Sequence, residues 1–218
     1  MKYERMTAHP MLGRFLSFLV IGSALAGCFP DRSLISQRRE PEKTWQRIAA
    51  ESVCEQLKAE TNDEKRHEAR EYVRALLSLE RGGDPNMRFA NGDTLLLMAV
   101  RRNDKDIVKR MLSLDVYADA DCADKNGNTP LIVACERGDV EMVKILIKAG
   151  ARVNLSNQDG VTALMACAKQ GNEAIMRMLF SVEVNIHAKD KAGKLFGDYA
   201  IDNGHGGMIS IVSERKGK

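Results

Sequence analysis

Asn126-Gly127-Asn128-Thr129-Pro130-Leu131-Ile132-Val133-Ala134-Cys135 leads, after five residues, into Glu141-Met142-Val143-Lys144-Ile145-Leu146-Ile147-Lys148-Ala149-Gly150-Ala151-Arg152-Val153-Asn154. The chain then starts over with Asp159-Gly160-Val161-Thr162-Ala163-Leu164-Met165-Ala166-Cys167 and Glu173-Ala174-Ile175-Met176-Arg177-Met178-Leu179. Gly127, Gly160 and Gly193 stand 33 residues apart. A fixed period of this length is the mark of stacked supersecondary units, none of which buries its apolar face alone.

Each part of the period has a physical reason. Gly127, Gly160 and Gly193 suit a tight turn with a left-handed backbone, which costs glycine little. Thr129 and Thr162 stand where a hydroxyl can accept from the free amides of a helix start. Pro130 follows at the first helical position, where no amide bond is lost. Gly138 and Gly171 are placed to end that helix in left-handed geometry. The Val143/Leu146/Ile147 and Ile175/Met178/Leu179 stripes mark a second helix with one buried face. Glu183 stands where the pattern has Gly150, so that helix end is expected to close differently.

A 33-residue period that opens on Thr-Pro-Leu resembles the ankyrin repeat. The resemblance implies an all-α solenoid of about five units with degenerate caps, and a scaffold that binds another macromolecule instead of doing chemistry. The unit boundaries are expected at 42–90 for an N-terminal cap, then 91–125, 126–158, 159–192 and a C-terminal cap at 193–218. Within the first cap, Glu42 to Glu60 carries Trp45, Ile48, Ala49, Val53 and Leu57 at helical spacing. Thr61-Asn62-Asp63 breaks that helix and offers caps to a second one ending near Leu79. Gly82-Gly83-Asp84-Pro85-Asn86 resembles the Gly-Ala-Asp-Val-Asn turn that closes an ankyrin unit. The next unit carries a second helix over Asp106 to Leu114, and its loop is two residues longer than the standard unit. The last unit has a second helix over Met208 to about Ser213.

The first residues are read apart from the fold. Lys2, Arg5 and Arg14 precede an uncharged run from Phe15 to Ala26, which ends in Leu25-Ala26-Gly27-Cys28. An ordinary membrane span needs about 20 apolar residues, more than this run supplies. The ending resembles the lipobox of bacterial lipoproteins, in which the cysteine is acylated and becomes the first mature residue. Residues 1–27 are therefore expected to be a signal, Cys28 the lipid attachment site and 28–41 a tether. An uncleaved hydrophobic anchor is the alternative, and Met11 is an alternative start to Met1. Phe29 follows the cysteine in place of the aspartate that resembles an inner-membrane retention signal. The expected location is the periplasmic side of the envelope, with the outer membrane favoured.

Removing residues 1–27 leaves 30 Lys+Arg against 29 Asp+Glu, so the formal charge of +3 falls to +1. That balance gives no support to nucleic-acid binding. No CxxC or Cys/His cluster suggests a metal, and no histidine has a nucleophile or carboxylate at a catalytic spacing. His187 reads as a turn residue and His205 as a helix cap. We expect no catalytic residue, metal, cofactor or small-molecule substrate. Cys135 and Cys167 fall at small-residue core positions, and Cys54, Cys122, Cys135 and Cys167 are expected as free thiols.

What remains is a binding face. The resemblance places it on the turn tips and first-helix ends of a concave surface. The positions are Lys125, Asn128, Gln158, Lys191 and Lys194 at the tips, and Arg101, Arg102, Glu136, Arg137, Lys169 and Gln170 at the helix ends. Arg101, Arg102, Arg137 and Lys169 read as a basic row, interrupted by Glu136, that calls for an acidic patch on a partner protein. Two roles are open: an adaptor in the envelope, or an immunity protein that neutralises a periplasm-acting toxin such as a phospholipase.

Overall fold

The computed structural model describes residues 44–113, 116 and 118–211. They lie within one compact unit, Lys43–Lys218. The alternative starts, the signal at 1–27, Cys28 and the tether at 28–41 lie outside the described residues, as does the chain beyond Ile211. Among the described residues there are helices and no strand, and no helix is long and apolar enough to cross a membrane.

The fold is an all-α repeat solenoid. A hairpin of α1 (Trp45–Ala59) and α2 (Asp63–Glu80) comes first. First helices α3 (Leu95–Arg102), α5 (Pro130–Arg137), α7 (Ala163–Gln170) and α9 (Phe196–Asp202) follow at the period of the sequence. Between them run second helices α4 (Lys105–Met111), α6 (Val140–Lys148) and α8 (Glu173–Phe180). First helices pack on first helices and second on second.

The local signals act as their chemistry requires. The Thr94, Thr129 and Thr162 hydroxyls accept from the amides of Leu97, Ile132 and Met165, and Pro130 opens α5. Gly138 and Gly171 end their helices at φ 71° and 72°. Asn103 takes the same left-handed geometry, at φ 62°, without being glycine. Asp139 and Asn172 cap α6 and α8 through the amides of Met142 and Ile175. Asn62 caps α2, its Oδ1 accepting from Lys65 at 3.2 Å.

Six successive residues of each inner first helix are buried: Leu95–Val100, Pro130–Cys135 and Ala163–Ala168. A helix enclosed on two sides by its neighbours and on a third by its own second helix has no wet stripe left. Each large aliphatic side chain so buried contributes about 1.5–3 kcal/mol, and the alanines and cysteines let the helices approach. The second helices bury one side only, with Met142, Val143 and Leu146 inside on α6 and Lys144 and Lys148 outside.

Three boundaries differ from expectation. α4 stops at Met111 instead of Leu114, where the amide of Ala118 reaches back to the Met111 carbonyl. After α9 the chain forms a 3-10 turn over Gly206–Ile209, two residues ahead of the expected start at Met208. Beyond α8, Glu183 changes the helix exit. Ala151 N–H closes on the Leu146 carbonyl after Gly150, whereas Val184 N–H turns to Val182 at 2.8 Å. Gly150 supplies φ 87° for the first closure, a value that glutamate does not take here.

His205 is not a side-chain cap. Its backbone N–H donates to the Ala200 carbonyl, and its ring lies against Gly171, where a Cβ would meet ring atoms at 2.6 Å. His187 takes part in its turn through its backbone, donating to Asn185 Oδ1 at 3.0 Å.

Candidate binding surface

The turns ahead of the first helices form stacked fingers, each built around one side chain. Asp124 Oδ1 accepts from the amides of Asn126 and Asn128, both at 2.8 Å. Asn157 does the same for Asp159 and Val161, and Asp190 for Ala192 and Lys194. Each stands three residues ahead of a glycine at φ 80–82°. The reading of the sequence missed Asp124 and Asn157, although an Asp/Asn recurring with the glycine period was the available signal. Neighbouring fingers are joined by Gln158 N–H to the Asn126 carbonyl at 2.9 Å and Lys191 N–H to the Asp159 carbonyl at 2.8 Å.

The helix ends form two columns in register. The first runs Arg101, Glu136, Lys169, Asp202 and the second Arg102, Arg137, Gln170, Asn203. The first column therefore alternates in sign, and the residues of the expected basic row are divided between the two columns. Arg101 is further neutralised: one guanidinium nitrogen donates to Asp124 Oδ2 at 2.7 Å and Nε lies 3.1 Å from Asp93 Oδ2. Both carboxylates are buried. Burial pushes the Asp93 carboxyl above its ordinary value against the pull of Arg101. Burial also acts on Asp124, but hydrogen bonds from Asn128 and Asn126 and the Arg101 charge outweigh it and hold that carboxyl low. Burial raises Glu136 as well, with Lys169 and Arg101 opposing.

Several of the expected contact residues are occupied within the chain. Arg137 donates to the Arg101 carbonyl at 2.7 Å, and Arg102 to Gln56 Oε1 at 2.8 Å. Asn128 Nδ2 donates to Asp124 while its Oδ1 accepts from Asn157. Gln158 Nε2 donates to the Lys125 carbonyl, and Lys194 pairs with Asp202 at 2.7 Å. Lys125, Lys169, Gln170 and Lys191 are exposed, and their side chains form no hydrogen bond or ion pair among the described residues. Beside the columns lies an open hollow of about 630 Å³ lined by Asn103, Lys105, Arg137, Gly138, Asp139, Val140 and Glu141. Val140 in its lining is an exposed large apolar side chain.

This surface presents exposed polar and charged side chains. The four described cysteines are free thiols. Burial raises the pKa of Cys135 well above the ordinary thiol value and that of Cys167 to about 12, so neither is a thiolate near neutrality. Among the described residues no cluster of His, Cys, Asp and Glu could hold a metal ion.

A family model described as ankyrin repeats (3 copies) matches residues 65–157 and 114–190, which together span more than half of the chain. No curated protein matches the chain significantly.

Proposed function

The chain belongs to the ankyrin-repeat family, whose repeats serve as protein–protein interaction modules, and from that premise we propose that it binds a partner protein through its finger tips and first-helix ends, without chemistry of its own. The observation that carries this reading is the unspent set Lys125, Lys169, Gln170 and Lys191, displayed by two fingers with one finger between them and by the end of α7. A rigid scaffold that holds such side chains in register pays little ordering entropy on binding. Three of the four are cations, so the fitting partner presents carboxylates. Arg101, Arg102 and Arg137, bound within the fold, are framework more than contact.

Affinity capture with the domain, followed by kinetics on the captured partner, tests the face. Reversing Lys125, Lys169 and Lys191 together to glutamate slows association and flattens its salt dependence, because steering by exposed charge acts mainly on the association rate. Melting stays nearly unchanged, since exposed substitutions shift stability by about 0.5 kcal/mol or less. Unaltered association kinetics in that variant would move the site away from this face.

The same proposal places the domain on a lipid tether at Cys28, on the periplasmic side of the envelope. Its support is the charged start, the short apolar run and Leu25-Ala26-Gly27-Cys28. Cys28→Ser abolishes acyl labelling and releases or mislocalises the protein. A membrane-bound chain that still carries residues 1–27 would instead establish an uncleaved anchor.

A further inference from the structure

The second helices repeat one pattern of burial. Ile107, Val108 and Met111 lie inside on α4, Met142, Val143 and Leu146 on α6, and Ile175, Met176 and Leu179 on α8. The residue after each buried pair is an exposed cation: Lys109, Lys144 and Arg177. α4 packs on α6 and α6 on α8, so the three stand in one row, about 8–10 Å from helix to helix. Lys148, also exposed, adds a cation one turn beyond Lys144, and Arg110 adds one beside Lys109.

Few groups of the fold engage this row. Lys144 and Lys148 form no hydrogen bond or ion pair among the described residues. Lys109 meets Asp106 and Glu141 only at 3.9 and 3.8 Å, and its side chain remains 51% exposed. The exposed carboxylates of these helices, Asp106, Glu141 and Glu173, all lie in first turns. A helix dipole favours acids at the start and cations in the last turn. It asks for no cation in the middle of α6, where Lys144 stands. The outer ridge therefore carries a cationic band beyond an acidic edge, on a chain whose formal charge without residues 1–27 is only +1.

The tether supplies the surface that this band fits. Residues 29–43 separate Cys28 from the described fold, a stretch that spans at most about 50 Å. A chain held at Cys28 therefore stays within that distance of a bilayer. Each Lys or Arg close to an anionic bilayer adds attraction, which dies away within about 8 Å. Holding the chain there raises the local concentration of headgroups, so a few such contacts suffice. The finger cations belong to the turns ahead of the first helices and are not part of this band.

We propose that the outer ridge of α4, α6 and α8 rests on anionic phospholipid headgroups of the membrane that holds the tether, through Lys109, Lys144, Lys148 and Arg177. The inference rests on the tether at Cys28.

An amine-reactive footprint of the full chain on vesicles, read residue by residue by mass spectrometry, tests it. On phosphatidylglycerol vesicles Lys109, Lys144 and Lys148 react at least about fivefold more slowly than on phosphatidylcholine vesicles. Lys125, Lys169 and Lys191 react at the same rate on both. The protection disappears in about 1 M salt, where screening acts within about 3 Å. Lys144→Glu combined with Lys148→Glu removes it from Lys109 as well. Equal rates on the two kinds of vesicle overturn the proposal, as does protection that covers the finger lysines to the same extent. Failure of the tether reads differently. The chain is then not retained on phosphatidylcholine vesicles, while the footprint on phosphatidylglycerol still decides the ridge.

Discussion

Gly160→Ala lowers the melting temperature by about 6–12 °C, and Gly193→Ala by no more than about half of that. The two glycines occupy the same turn in consecutive units, at φ 82° and 80°. Each alanine pays for a left-handed backbone, about 1–2 kcal/mol. At Gly160 a second cost is added. Its new Cβ would meet backbone of the next finger, with Asp190 Cα at 2.9 Å and Lys191 N at 3.1 Å. Backbone cannot rotate away as a side-chain tip can, and overpacking of this kind costs about 1–3 kcal/mol more. At Gly193 a Cβ meets nothing within 4 Å. Thermal melts of the two variants under one buffer decide it. Equal losses would show that the turn geometry alone sets the cost and that the fingers are not in close contact.

The second large effect belongs to Asp124→Ala, which destabilises the fold by about 3 kcal/mol. The carboxylate accepts from two backbone amides and the Asn128 side chain, and it anchors Arg101 at 2.7 Å. Removing it strands all of them, and Arg101 keeps only the Asp93 contact. Asp124→Asn retains an acceptor for the turn and loses the charge, so its loss is smaller. The two variants also differ from the wild type in acid. The folded state holds the Asp124 carboxyl below its unfolded value. Its contribution is therefore complete above the unfolded value, near pH 4, and fades as pH falls through the folded one. Asp93 is shifted upward, so its contribution has the opposite sign: present below the unfolded value and lost as pH rises through the folded one. Urea melts from pH 6 downward show a steeper decline for the wild type than for Asp124→Asn. Parallel curves would remove Asp124 as the source of that slope.

The repeat, its caps and its turns were legible in the chain because they depend on contacts within a few residues. A threonine hydroxyl bonds three residues ahead, and a glycine admits a backbone that other residues resist. Those rules hold wherever the motif occurs, so Thr129, Pro130, Gly138 and Gly160 announced the architecture before any packing was known. Asn103, which takes the left-handed position of Gly138, shows that the position outlasts the residue type.

Which side chains are left for a partner was decided only by the tertiary structure. The period places Arg101, Glu136, Lys169 and Asp202 in one column. It does not reveal that Arg101 turns to a carboxylate 23 residues away, or that Arg137 is spent on a carbonyl 36 residues back. Likewise Asp104 and Asp139 are the same residue at the same position, yet Asp139 caps a helix and Asp104 is drawn into a half-buried pair with Arg102. Long charged side chains choose among several partners of similar local merit. Only stacking brings those partners within about 3 Å, where a charge-assisted hydrogen bond outweighs the water it displaces.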